Sequence, residues 1–423
     1  MPPERSLADW LARLERLHPS AIDLGLERVR RVADALGLAP AFPLVVVGGT
    51  NGKGSTCAFL EAMLGAAGYK TGLYTSPHLL RYNERVRIAA ADADDASLVA
   101  AFARVDAARG DVSLTYFEFG TLAAMCLFVD AGVDVAILEV GLGGRLDAVN
   151  VFDAAAAIVT GVALDHMDYL GDSREAIGYE KAGIFRAGRP AICADPAPPS
   201  TLLAHARAID ADLRCLGRDF AAQRQPAGWT FQGRALRWDD LPLPTLAGTY
   251  QLRNAAAALA ALEALAARLP VPLAAIRAGL RAAHVAGRFQ RIAGTPELIL
   301  DVAHNPDAAA ALAAALREQP AAGRTLAVVG MLADKDAAGV FAALAGEIDA
   351  WWLGTPASPR ARPAAELAAT LRTGVPGAAV EVCTEIAAAL RKAQGAAREG
   401  DRIVVFGSFV TVAAALDHAA TQH

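Results

Sequence analysis

Short apolar runs alternate along the chain with stretches whose apolar residues recur at helical spacing. "PLVVVGG" (43–49) precedes a helical pattern over 55–67, and "DVAILEVG" (134–141) follows one over 117–131. "AAAIVTGVA" (155–163) leads into a helical pattern over 173–185, and "PAICA" (190–194) into one over 200–209. This strand–helix rhythm predicts a largely parallel sheet covered by helices, with ligands beyond the carboxyl ends of the strands.

The rhythm breaks over 212–247, where "WTFQGRALRW" reads as an antiparallel hairpin and "LPLPTLAG" as an extended connector. Helical patterns over 250–268 and 272–283 follow. The alternation then restarts: "ELILDVAH", helix 307–318, "TLAVVGML", helix 336–346, "AWWLGT", helix 363–373, "AVEVC", helix 384–397, "RIVVFGS" and helix 409–420. The expected organisation is α/β throughout, with a larger domain over 1–288, a smaller Rossmann-like α/β domain over 289–423 and a linker over 284–294. Alanine-rich stretches such as "DAAAALAAAL" suit helices, and no fixed-period repeat occurs.

Length and charge narrow the reading. At 423 residues the chain exceeds what one hydrophobic core usually supports. A formal net charge of −5 without a long basic run argues against nucleic acid or an anionic membrane surface as partner. Five scattered cysteines, none paired as C-x-x-C, fit reduced, mostly buried thiols and suggest no zinc site. The N-terminal "MPPERSLADWLARLERLH" mixes charges with apolar residues at helical spacing, and no run approaches the ~20 apolar residues of a spanning helix. A soluble, cytoplasmic protein is expected.

Candidate chemistry sits at the predicted strand ends. In "VVVGGTNGKGS" (45–55) a β-branched run breaks into glycines around Lys53 and gives way to a helical segment opened by Ser55. Glycines that free backbone N–H groups, a lysine charge and a helix N-terminus are the parts of a phosphate-binding loop. The standard spacing is nonetheless missed: Val47 stands where the first glycine belongs, and Gly54 separates Lys53 from Ser55. "YTSPHLLRYNERV" (74–86) places Ser76 at the end of a short strand, in what is by itself more often a surface turn. "LEVGLGGRLDAVN" (138–150) puts Glu139 inside an apolar strand, where a carboxylate calls for a metal or cation. "VALDHMDYLG" ends a buried strand in Asp165, His166 and Asp168, which favours magnesium or phosphate chemistry. Lys181, in "YEKAGIF", reads as a surface lysine whose stem snorkels over apolar neighbours. "GRFQRI" offers Arg288, and "LDVAHNPDA" offers Asp301, His304 and Asn305; charges at the linker and at that strand end suggest a nucleotide closed between two hinged domains.

Taken in order, "IDLGLERV", "GTNGKGS", "TSPHL", "TYFEFGT", "LEVGLGGRLDAVN", "DHMDYLG", "EKAGIF", "LRNAAAAL", "GRFQ" and "DVAHNP" resemble the Mur-ligase superfamily, and within it the bifunctional dihydrofolate synthase/folylpolyglutamate synthases. The loop with glycine after lysine is that superfamily's own form, and the resemblance implies a P-loop ATPase-type fold for the larger domain. It also implies that Thr50, Asn51, Gly52, Lys53, Gly54 and Ser55 hold ATP phosphates, with Asn254, Arg288, Asp301 and His304 as further ATP contacts. Ser76, Glu139 and His166 would ligate Mg2+, and Lys181 would be carbamylated, against its reading as a surface side chain. Lys53, Lys181 and His166 would be catalytic. Ile22, Asp23, Leu24, Thr115, Tyr116, Phe117, Glu118, Leu146, Asp147 and Ala148 would line a dihydropteroate pocket, although periodicity alone equally lets Tyr116 and Phe117 pack the start of helix 117–131. The resemblance departs at Val410, where related sequences tend to have histidine.

The implied reaction is ATP-driven ligation of L-glutamate to dihydropteroate and to reduced folates through an acyl phosphate, by a monomer that binds neither nucleic acid nor membrane. A monofunctional folylpolyglutamate synthase is the nearest alternative. A cell-wall amino-acid ligase of the same superfamily is disfavoured, because only about 45 residues precede the loop, too few for a domain that binds a nucleotide sugar. A nucleotide-binding regulatory module without catalysis is disfavoured by Glu139, His166 and Lys181 occurring together.

Overall fold

The computed structural model describes residues 6–420. They form two compact units: the first runs to Thr245 and includes Leu252–Ala283, and the second comprises Leu246–Gln251 and the described residues from His284 onward. The division expected between 288 and 289 thus lies between 283 and 284, with a short stretch of the connector counted to the second unit. Part of the expected linker, Gln290–Ile292, is a strand.

The first unit is built on an eight-stranded sheet in the order Ala91–Asp92, Val86–Ile88, Thr71–Tyr74, Val135–Glu139, Leu44–Gly48, Ala156–Val159, Pro190–Cys193 and Asp212–Cys215. The strands from Thr71–Tyr74 to Asp212–Cys215 are all parallel, and Val86–Ile88 and Ala91–Asp92 turn back antiparallel at one edge. The central strands are apolar at successive positions because helices cover both faces of a parallel sheet; every residue of Leu44–Gly48 and of Val135–Glu139 is buried. Lys53–Ala66 and Tyr116–Ala131 are apolar most of the way round for the same reason. The predicted hairpin is Gly228–Gln232 and Arg237–Leu241, the central strand and one edge of a three-stranded antiparallel sheet completed by Ala221–Gln225. Trp229, fully buried there, satisfies its indole N–H on the Pro242 carbonyl at 3.0 Å.

The second unit carries a six-stranded sheet in the order Gln290–Ile292, Glu297–Leu300, Arg402–Phe406, Thr325–Val329, Ala350–Leu353 and Val380–Val382, parallel but for the first strand. Trp351 anchors its core, edge-on to Phe341 at 5.4 Å and to Phe406 at 6.3 Å. All five cysteines are buried free thiols. Among the described residues no helix is long and apolar enough to cross a membrane.

Candidate active site

Leu44–Gly48, Val135–Glu139 and Ala156–Val159 are adjacent parallel strands, with Val47 beside Glu139 and Gly48 beside Val159. Their carboxyl ends therefore deliver three loops to one edge of the sheet. The first, Gly49–Gly52, is a fitted turn. Gly49 has φ +144°, and a Cβ there would lie 1.9 Å from the Thr160 hydroxyl; Gly52 has φ +89°, and a Cβ there would lie 2.5 Å from Asn254 Oδ1. Only glycine satisfies both the backbone and the space. Thr160 donates to the Asn51 carbonyl at 2.6 Å, Thr50 N donates to Gly161 O at 2.8 Å, and the Thr50 hydroxyl bridges the backbone of Ala163. The loop is held by its neighbours before any ligand arrives. Gly52 caps the Lys53–Ala66 helix, whose first-turn N–H groups open towards this edge. Lys53 folds back on the loop, donating to the carbonyls of Gly49 at 3.0 Å and Thr50 at 3.1 Å.

Glu139 ends its strand almost fully buried and accepts the Ser76 backbone N–H at 3.1 Å. Ser76 and Glu139, which the resemblance named as metal ligands, therefore meet. His166 ends the loop after Ala156–Val159 as the cap of Met167–Leu170, with φ +53°, and pairs at 4.0 Å with Asp165. The hydroxyl of Ser76 and the carboxylate of Glu139 are donor types that Mg2+ takes together with phosphate oxygens and water. Among the described residues no three His, Cys, Asp or Glu side chains gather as a closed metal cluster.

Lys181 is buried, which overturns its reading as a surface side chain. Burial, followed by the nearby charge of Lys53, lowers its amine to a pKa of about 7; Asp165 and Asp147 are close enough to oppose the shift. Asp147 is buried as well, and desolvation raises its carboxyl to about 7 even though the N–H groups of Leu142 and Val149 donate to it at 2.9 and 3.1 Å. The two are held in place by a staple: Arg145 N donates to Glu180 O at 2.8 Å, its guanidinium pairs with the Glu180 carboxylate at 2.8 Å, and Asn150 donates to the carbonyls of Arg145 and Gly183. That fastens the 141–150 loop to the Arg174–Ala182 helix.

The three stretches assigned to the dihydropteroate pocket also come together. Arg28 pairs with Asp23 at 2.8 Å and with Glu118 at 3.0 Å, joining 22–24 to the start of the Tyr116–Ala131 helix. Glu118 is committed further: with Thr115 it forms the capping box of that helix. Its carboxylate holds the wall together. The Phe117 ring sits over Gly141, where a Cβ would lie 2.7 Å from Cζ, and meets Tyr74 at 5.7 Å. Phe117 thus links the helix to the loop carrying Leu146, Asp147 and Ala148. Arg28, Thr160 and the Arg145–Glu180 staple were not singled out in the sequence, because their roles rest on the bonds Arg28–Glu118, Thr160–Asn51 and Arg145–Glu180, which span 90, 109 and 35 residues.

In the second unit Asp301 is buried and caps the N–H groups of Phe289 and Ala303, both at 2.8 Å. Burial raises its carboxyl, and nearby Arg288 opposes the rise. The Arg288 guanidinium lies 5.3 Å over the Phe409 ring, and His304 hydrogen-bonds the Val302 carbonyl at 2.8 Å through Nδ1. Asn305 caps the Pro306–Glu318 helix.

The Mur ligase middle domain matches residues 47–262, and the Mur ligase glutamate ligase domain matches 287–409. The chain belongs to the Mur ligase family. A dihydrofolate synthase/folylpolyglutamate synthase of Escherichia coli (strain K12) is 47% identical over 408 residues, which are 96% of this chain and 94% of that one. Among solved structures, E. coli FolC in complex with DHPP and ADP superposes with a TM-score of 0.94 at 46% identity, covering 99% of this chain and 98% of that one. A bifunctional folylpolyglutamate synthase/dihydrofolate synthase with Mn, AMPPNP and L-glutamate bound gives a TM-score of 0.91 at 45% identity, covering 99% and 98%. The Mur ligase middle domain match spans the phosphate loop, Ser76, Glu139, His166, Lys181 and Asn254, and the glutamate ligase match spans Arg288, Asp301 and His304.

Proposed function

We propose that this Mur ligase joins L-glutamate to dihydropteroate, giving dihydrofolate, and to the γ-carboxyl of reduced folates, driven by ATP. One juxtaposition carries the reading: the Phe117 ring packs on Gly141, two residues beyond Glu139, whose strand neighbours the phosphate-loop strand. A flat pterin held beside that ring would direct its carboxylate towards the loop. The names and bound ligands of the relatives support the same reading.

In the reaction the acceptor carboxylate takes the γ-phosphoryl group of ATP, releasing ADP and leaving an acyl phosphate. The glutamate amine then attacks the acyl carbon, and phosphate and a proton depart. A carboxylate is too poor an electrophile to react without this activation. Thr50 to Ser55 cradle the phosphates, and Lys53 leaves its two loop carbonyls to spread the charge on the transferring group. Asn254, Arg288, Asp301 and His304 are further nucleotide contacts. Ser76, Glu139 and His166 would hold Mg2+, which would supply charge neutralisation on the phosphates. Lys181 carries a carbamate: burial brings its amine down to about 7, so the neutral form is available near neutral pH, adds carbon dioxide with loss of a proton, and becomes an anion. Ile22, Asp23 and Leu24, Thr115 to Glu118, and Leu146 to Ala148 line the pterin pocket, with Asp147 the group able to read the amide-like edge of the ring. The first domain then holds ATP and the folate, and the second serves glutamate ligation. The protein acts as a cytoplasmic monomer, without nucleic acid or membrane.

ATP turnover by the purified protein tests this. ADP release is expected only when dihydropteroate and glutamate are both present, and Lys53→Ala is expected to lower it by more than about a hundredfold without loss of folding. ADP release that ignores both substrates, or a folded Lys53→Ala protein within about tenfold of wild type, contradicts it.

A further inference from the structure

The segment between the Thr71–Tyr74 strand and Val86–Ile88 contains a cation that the proposed mechanism has not used. The Arg85 guanidinium lies against two tyrosine rings, 5.4 Å from the Tyr82 centroid and 5.3 Å from that of Tyr116. The rings themselves meet edge-on at 5.8 Å. Arg85 Nε donates to His78 Nδ1 at 2.8 Å. The imidazole accepts that hydrogen bond and offers the guanidinium no negative charge. The neighbouring acid, Glu84, is committed to the backbone N–H groups of Leu79, Leu80 and Arg81. Among the described residues no carboxylate pairs with Arg85, although most other arginines of the first unit have one. The two rings lie on one side of the guanidinium and His78 takes its Nε, which leaves the two Nη groups as a fork, the geometry that grips a carboxylate bidentately.

Its position says which carboxylate. Tyr116 is the first residue of the helix whose Phe117 is assigned to the pterin pocket, and the loop bearing His78 also bears Ser76, bonded to Glu139. The fork therefore touches both the proposed pterin wall, through Tyr116, and the loop that carries Ser76, through His78. Dihydropteroate has one carboxylate, which is the group activated. A folate acceptor presents its γ-carboxyl for activation and keeps a second, unreacting α-carboxylate nearby.

We infer that Arg85 binds the α-carboxylate of the terminal glutamate of a folate acceptor, and so selects for the second ligation over the first. This rests on the function proposed above.

The test measures kcat/KM for dihydropteroate, for a reduced folate monoglutamate and for the same folate with its α-carboxylate converted to a carboxamide, in wild type, Arg85→Lys and Arg85→Met. The Arg85→Met protein is expected to shift the ratio of folate to dihydropteroate use ten- to a hundredfold towards dihydropteroate, about what one charge-assisted contact supplies, through KM for the folate. Arg85→Lys is expected to fall between. Wild type is expected to use the carboxamide poorly, and Arg85→Met to treat carboxylate and carboxamide alike. Equal losses on both acceptors, or a rise in KM for glutamate alone, overturn the assignment. So does a wild type that uses carboxylate and carboxamide equally, a readout that needs no variant to fold. Failure of the parent function would appear separately, as a wild type yielding nothing from dihydropteroate.

Discussion

The surroundings of Lys181 alter its chemistry. A lysine amine usually titrates near 10.5; here burial and Lys53 bring it to about 7, while Asp147, usual value 3.8, rises to about 7. The consequences for stability have opposite signs. Between about 4 and 7 the folded protein keeps a proton on Asp147 that the unfolded chain has lost, so stability falls as pH rises. Between about 7 and 10.5 the unfolded chain holds a proton on Lys181 that the folded protein lacks, so stability rises. In carbon-dioxide-free buffer, denaturant midpoints against pH should show a trough near neutrality. Asp147→Asn should flatten its acid side and Lys181→Met its alkaline side. Unchanged profiles in both variants would contradict the assigned environments. The burial of Lys181 was not legible from its own segment, since "YEKAGIF" leaves a lysine free to snorkel; what encloses it is the 141–150 loop, stapled on through Arg145, Glu180 and Asn150. Glu139 was legible, because a carboxylate within a five-residue apolar strand has few reasons to be there.

At the scale of elements, the strand endings carried the information. The runs ending at Gly48, Glu139 and Val159 stood out because a parallel sheet covered on both faces demands unbroken apolar strands, and their ends form the site. Glu27–Ala35 and Asp95–Arg109 escaped notice: the first is mostly charged, and the second shows little separation of apolar from polar faces although Leu98, Ala101, Phe102 and Val105 are buried. The phosphate loop permits a sharp test. Gly52→Ala puts a methyl against Asn254 at a backbone angle that favours glycine. Strain of about 1–3 kcal/mol should appear as a lowered denaturation midpoint. Because the clash shifts the loop itself, ADP affinity measured by calorimetry should weaken at least tenfold. Unaltered ADP affinity would mean that the loop does not hold the nucleotide.

On the scale of the whole molecule, the two sheets have separate hydrophobic cores, one including Phe102, Phe119 and Phe128 and the other Phe341, Trp351 and Phe406. Two cores of this size predict unfolding that departs from a single two-state transition. Phe341→Ala, expected to cost about 3–5 kcal/mol, should lower the transition of the second unit and leave the first, followed through hydrogen exchange of the Leu44–Gly48 strand, near its wild-type value. Equal loss of protection in both sheets would show that they unfold together. The central claim is that one chain performs two ligations on one framework, and the most direct measurement is product formation by the same purified protein with ATP, Mg2+ and L-glutamate, given dihydropteroate in one reaction and a reduced folate in another. Dihydrofolate from the first and a folate longer by one glutamate from the second, each with one ADP and one phosphate released, is the predicted result. Elongated folate with no product from dihydropteroate would contradict it and leave a folylpolyglutamate synthase alone.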